Sequence, residues 1–185
     1  MMKYFIFFIL VSYNLNSFSQ SLYKTTTGKI TFFSETPVEN IDATNESVSS
    51  LLNTANNELL VVSTIRGFKF KKKLMERHFN ENYMESDTYK TAMFKGKIID
   101  NVDYKKDGIY NVKAKGILSI HGVDKEREIE GKVTVKGNEI TISANFDVKL
   151  VDHNIEVPTI VFSKIAEVIK VKIDATLLPK PTKTN

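Results

Sequence analysis

The 185-residue chain has no cysteine. That excludes a disulfide scaffold, a thiolate zinc site, a cysteine nucleophile and a lipid-modified N-terminal cysteine. Tryptophan is also absent. The one conspicuous apolar run, Tyr4 to Val11, is too short to cross a bilayer. A formal charge of +4 is too mild to mark a nucleic-acid protein by itself. The charges alternate in sign and no aromatic stacking platform accompanies them, so no nucleic-acid partner is expected. No internal repeat or low-complexity tract interrupts the chain. What is present is 42% hydrophobic and 26% charged residues. That balance excludes wholesale disorder and, at this length, points to one domain with a sizeable core.

The N-terminus reads as an address. Lys3 supplies a positive region, the apolar run follows, and Ser17-Phe18-Ser19 offers the small-x-small pattern of a signal-peptidase site. Residues 1–19 are therefore expected to be a cleaved signal peptide, and the protein to be periplasmic or secreted. Residues 20–178 form the folded domain, and 179–185, beginning Pro179-Lys180-Pro181, a flexible tail. An exported domain without cysteine holds together by its core alone.

The remainder alternates with a period of two, the signature of strands with one apolar and one wet face. Tyr110, Val112, Ala114, Gly116, Leu118 and Ile120 share one face; Asn111, Lys113, Lys115 and Ser119 share the other, with Ile117 as the exception. The same pattern runs through Ile129–Val135, Ile140–Val148 and Ile169–Leu177. Lys136-Gly137-Asn138 and His121-Gly122-Val123 supply tight turns. The first half is less regular. It suggests strands at Gly28–Phe33, Val38–Thr44, Ser47–Leu52, Glu58–Ile65 and Tyr89–Ile99. A helix is expected over Lys71–Asn80, with Leu74, Met75, His78 and Phe79 near one face.

Eight or so long strands must manage their edges, and closure into a barrel removes them. The expected fold is all-β: an eight-stranded antiparallel barrel with a short helix. Alternation alone fits a soluble barrel, apolar face inside, or an outer-membrane barrel, apolar face outside. Dense long charges on the polar faces, no aromatic girdles and a polar C-terminus favour the soluble form. Ala114, Gly116, Gly131 and Ala144 are small residues on apolar faces. They either make room for an apolar ligand or merely fit the barrel's taper.

Three segments resemble a known family. Gly116-Ile117-Leu118-Ser119-Ile120-His121-Gly122-Val123-Asp124-Lys125 resembles the G-x-L-x-I-H-G-V-x-K hairpin of the YceI-like polyisoprenoid-binding proteins. His78 to Ser86, followed by Tyr89 and Thr91-Ala92-Met93-Phe94, resembles the family's helix-to-strand segment. Phe146-Asp147-Val148-Lys149 with Asp152 to Pro158 resembles its late region. The resemblance runs in order from about Thr26 to Leu178. It implies a lipocalin-like barrel holding a long-chain isoprenoid or acyl lipid, with no catalytic residues and no cofactor. The lumen wall is then expected from Phe68, Phe94, Val112, Ala114, Gly116, Leu118, Val133, Ile142, Ala144, Phe146, Val171 and Ile173. Tyr83, Tyr89, Asn82 and His121 are the candidates for the ligand's polar end.

Other chemistry is sparse. His78, His121 and His153 lie on separate segments without metal-ligand spacing. Ser119 beside His121 lacks an orienting acid and a nucleophile elbow, so no enzyme activity is expected. Asn45-Glu46-Ser47 is a chance match to a glycosylation sequon. Lys69, Lys71, Lys72, Lys73 and Arg77 form either a solvated face or a peripheral membrane contact at the barrel mouth. A homodimer stays open. The alternative to a lipid carrier is a ligand-free barrel acting through protein contacts, in stress response or beside a redox chain.

Overall fold

The computed structural model describes residues 21–158 and 165–181; the expected signal peptide lies outside them. Strands run in the order β1 (Leu22–Glu35), β2 (Asn40–Asn53), β3 (Glu58–Thr64), the two-residue β4 (Lys69–Phe70), β5 (Thr91–Ile98), β6 (Gly108–Ile120), β7 (Val123–Lys136), β8 (Glu139–Lys149) and β9 (Val168–Pro179). A short helix α1 (Lys73–His78) follows β4 and continues into a π-turn at Phe79–Tyr83. The expected helix over Lys71–Asn80 thus starts later and ends by widening. β1 pairs with β2 on one edge and β9 on the other, so eight antiparallel strands close into a barrel, with β4 laid on β2. Two residues of the expected tail are tied to β1. Pro179 pairs with Tyr23, and the Lys180 N–H donates to the Leu22 carbonyl at 2.8 Å.

Period two sets which residues are inside. Val112, Ala114 and Leu118 of β6, Ile129, Val133 and Val135 of β7, and Ile140, Ile142 and Val148 of β8 are buried, while the intervening Lys and Glu face water. That is the reverse of an outer-membrane barrel.

The two strands expected at Val38–Thr44 and Ser47–Leu52 are one strand, β2, with its inward parity switched. Ala43 and Asn45 are buried before the switch, and Val48, Ser50 and Leu52 after it. The pairing with β1 shifts register over the same stretch, between Gly28↔Val48 and Ile30↔Asn45. This is a bulge. Asn45 holds it: its Oδ1 accepts the Ser47 N–H at 2.8 Å, and its Nδ2 donates to Ser63 Oγ at 3.0 Å and to the Thr64 carbonyl at 2.9 Å. The sequon asparagine is completely buried, which leaves no access for a glycan.

The barrel's two ends differ. At the lower end, Val48, Leu52, Val135, Ile140, Ala175 and Leu177 fill the lumen solidly. Tyr104, from the loop joining β5 to β6, packs beneath them and donates its hydroxyl to Asn57 Oδ1 at 3.0 Å. Burial pushes that phenol's pKa up to about 12. The upper end carries β4, α1, the His121-Gly122 turn and a 3₁₀ turn at Leu150–His153.

Gly116 does not make room in the lumen. It pairs with Gly96, and a Cβ on Gly116 would stand 2.3 Å from the Lys95 carbonyl oxygen and 2.4 Å from Gly96 Cα. The two glycines let β5 and β6 approach closely. Gly116→Leu is expected to destabilise the barrel by about 3 kcal/mol, the upper end of ordinary overpacking. A denaturation midpoint equal to the wild type's would contradict this role.

Candidate functional site

Above the packed lower end the side chains no longer meet. A cavity of about 550 Å³ opens there and continues to the upper end. Eleven of the twelve expected wall residues line it, Phe68, Phe94, Val112, Ala114, Leu118, Val133, Ile142, Ala144, Phe146, Val171 and Ile173, and so does Tyr83, expected at the ligand's polar end. Small and medium residues on facing strands leave the space. Ala114 and Ala144 stand where a Leu or Phe would fill it.

An aromatic cluster stands at the cavity's upper end. Phe32 of β1 packs on Phe68, Phe70 and Phe79 with ring centroids 5.3, 5.6 and 5.4 Å away, and Phe70 meets Phe79 at 5.1 Å. Phe32 and Phe70 were not among the expected wall residues. Phe68-Lys69-Phe70 does carry period two, but a two-residue strand is too short to stand out from it. The helix face expected from Leu74, Met75, His78 and Phe79 does line the cavity. Burial raises the Tyr83 phenol pKa.

The charged groups of the cavity stand at its margins. Lys72 and Glu39 pair at 2.7 Å. The rest of the basic cluster is also partly neutralised. Lys71 pairs with Asp42 at 2.9 Å, and Lys69 and Lys73 each reach Glu76 at 3.3 Å. The Glu76 carboxylate also accepts the Phe70 N–H at 3.2 Å. That backbone bond first, and the two lysines after it, hold the carboxyl below its usual pKa. The carboxylate thereby ties α1 to β4. Arg77 is exposed on α1.

His121 and Tyr89 do not line the cavity, nor does Asn82, which is exposed. His121 and Gly122 both have positive φ, 52° and 72°, and form the two-residue turn between β6 and β7. His121 is buried, with its ring edge-on to Tyr89 at 4.3 Å. Its Nδ1 lies 3.1 Å from the His153 carbonyl oxygen, and His153 Nδ1 lies 3.3 Å from the Val123 carbonyl oxygen. The two histidines thus interlock the hairpin turn with the 3₁₀ turn as a clasp. These contacts engage the turn of the most recognisable motif in packing, while Leu118 and Ile120 of the same motif line the cavity. Ser119 donates to Asp124 Oδ1 and makes no dyad with His121. Among the described residues, no three His, Asp or Glu side chains converge as a metal site.

His153 is completely buried, and desolvation lowers its pKa against the opposing pull of the Val123 carbonyl. A lowered folded-state pKa means that the unfolded chain protonates first. Stability is then full above the unfolded value near 6.5 and falls as pH drops below it, until the folded form also titrates. The expected slope is at most about 1.4 kcal/mol per pH unit for the one proton. Urea titrations at pH 7 and 5.5 check it: His153→Gln should flatten the difference, and an equal acid sensitivity in the variant would contradict the assignment.

The barrel with its upper cavity has known relatives. The YceI-like domain family matches residues 12–177. No curated protein matches the chain. Among solved structures, the fold is similar to a polyisoprenoid-binding domain from Saccharophagus degradans implicated in plant cell wall breakdown, with TM-score 0.74 and 15% identity over 87% of this chain and 99% of that one. It is also similar to Burkholderia cenocepacia BcnA, with TM-score 0.65 and 16% identity over 81% of this chain and 95% of that one. The Campylobacter jejuni YCEI protein gives TM-score 0.59 and 16% identity over 98% and 94%. These TM-scores establish a shared fold, and the family match across nearly the whole barrel establishes membership: the chain belongs to the YceI-like domain family.

Proposed function

We propose that the protein is an exported carrier that holds a long-chain amphiphile in the barrel cavity and performs no catalysis. The ligand class is a polyisoprenoid, an isoprenoid quinone or a fatty-acid derivative. The observation that carries this reading is a nearly all-apolar cavity of about 550 Å³ in a barrel whose other end is packed solid. Each buried methylene contributes about 0.8 kcal/mol, so ten give on the order of 8 kcal/mol before ordering costs. Such a ligand needs little polar recognition. Its polar end meets the residues at the cavity's upper margin, among them Lys72, His78 and Tyr83. The relative from Saccharophagus degradans, described as polyisoprenoid-binding, supports the ligand class. Export rests on Lys3, the Tyr4–Val11 run and Ser17-Phe18-Ser19.

The same end offers a contact with a membrane. Val38 and Leu74 are exposed at 61% and 54% on the β1–β2 turn and α1, the segments that carry or pair with Lys71, Lys72, Lys73 and Arg77, and Val151 is exposed at 76% on the 3₁₀ turn. Apolar side chains among cations suit an anionic lipid surface. Replacing Lys71, Lys72 and Lys73 with Glu is expected to reduce co-flotation with phosphatidylglycerol vesicles several-fold, and unaltered flotation would contradict the contact.

The carrier reading is tested by filling the cavity. Ala144→Phe, on the wall between Gly131 and Ile173, is expected to weaken binding of a fluorescent polyene fatty acid at least tenfold while the barrel stays folded. Unchanged affinity in a folded variant would favour a barrel that works through protein contacts.

A further inference from the structure

The β7–β8 seam is paired only along its lower half. Its ladder runs from Lys136↔Glu139 to Gly131↔Ala144 and stops. Above that pair β7 continues through residues 123–130 and β8 through residues 145–149. There β7 keeps its ladder with β6, and β8 with β9, but the two make no ladder with each other. The Asp147 carbonyl, which an unbroken ladder would give to a β7 N–H, instead accepts the Arg127 guanidinium at 2.8 Å.

A second half-paired seam, β2–β3, is sealed. The β2–β3 ladder covers only Ser49–Asn53 of β2. Above it β4 pairs with Ala43 and Thr44, and the buried Asn45 side chain bonds across to Ser63 and Thr64. On the β7–β8 side no strand is inserted among the described residues. Below, the opening ends at Gly131 and Ala144. Above, it ends at the 3₁₀ turn, held to β7 by His153 and the Val123 carbonyl. This leaves a window in the wall, crossed by Arg127.

The cavity extends to this window. Its lining includes Gly131 and Ala144 at the base of the window, and Lys132 and Ser143, the paired residues one step below it. The inner lips, Ile129, Phe146 and Val148, are apolar. The depth available inside is limited. From Ile142 to Val148 the wall rises six residues, about 20 Å along the strand and about 15 Å along a barrel axis tilted by roughly 40°. A longer chain must fold back or leave the barrel.

We propose that the window is a second opening of the cavity, through which the apolar chain of the ligand passes sideways, with Arg127 as its movable bar. This rests on the carrier reading above. The charge-assisted bond from Arg127 to one carbonyl is strong enough to close the window at rest. It can also break without disturbing either ladder.

The chain has no cysteine, so a single engineered disulfide is unambiguous. Glu130→Cys with Asn145→Cys places a pair one step above the last paired residues, on outward-facing positions. The probe is the fluorescent polyene fatty acid, followed by stopped-flow uptake and release. Oxidation is expected to slow both rates at least tenfold with little change in affinity, and reduction to restore them. Arg127→Ala is expected to quicken both several-fold. Equal rates in oxidised and reduced protein would overturn the window. If the disulfide does not close, an unchanged rate in Arg127→Ala overturns it instead. A wild-type protein that binds no probe at all overturns the carrier reading and the window with it, and is told apart by equilibrium fluorescence alone.

Discussion

Closure of the sheet on itself is the constraint from which the other features follow. β1 pairs with β2 on one edge and with β9 on the other, so no open edge remains in the lower barrel. Once the circle is closed, each strand must keep one parity inward. Where a strand cannot do so along its whole length, the chain needs a bulge. β2 has one at Asn45, and the buried amide makes three hydrogen bonds that tie the bulge to Ser47 of its own strand and to Ser63 and Thr64 of β3. The glycine pair Gly96 and Gly116 answers the same constraint by letting two strands approach where a Cβ would collide with the neighbouring backbone.

Within that circle, side-chain size divides the interior. Leucine, isoleucine, valine and one alanine from six positions interlock at the lower end and exclude space. Higher up, alanines and glycine alternate with aromatics, and the walls stand apart. A solid floor and a hollow upper half make a container with one end shut. The helix, the π-turn and the two-residue β4 then shape its opening, with Glu76 binding the helix to β4 and four phenylalanines packed at the rim. The histidine clasp fastens the β6–β7 turn to the 3₁₀ turn at the same end, so its residues hold the rim's shape without lining the cavity.

Much of this was legible in the residues. From Tyr110 onward, alternation with a polar outer face, broken only at Ile117 in β6, identifies β6 to β9 and most of the cavity wall, because one-sided burial leaves a period-two record. The record fails where another physical demand intervenes. At Asn45-Glu46-Ser47 the parity switches, so one strand reads as two. At Gly116 a small inward residue looks like a gap in the lumen, yet the neighbouring backbone uses the space. At His121 and Tyr89 a polar pair near the mouth looks suited to a headgroup, yet the turn's positive φ and the His153 carbonyl already engage the ring. Phe32 and Phe70 join the site through contacts between segments far apart in sequence, which no local pattern records. The half-paired β7–β8 seam has no sequence signal beyond the small residues Gly131 and Ala144 at its base.

The central claim is that the hollow half of the barrel holds a lipid. The most direct measurement is native purification of the protein from its own compartment, solvent extraction, and mass spectrometry of the extract. The account predicts one isoprenoid or acyl species at close to one molecule per barrel. Folded protein whose extract is empty, and which stays empty after incubation with quinones and fatty acids, would contradict it.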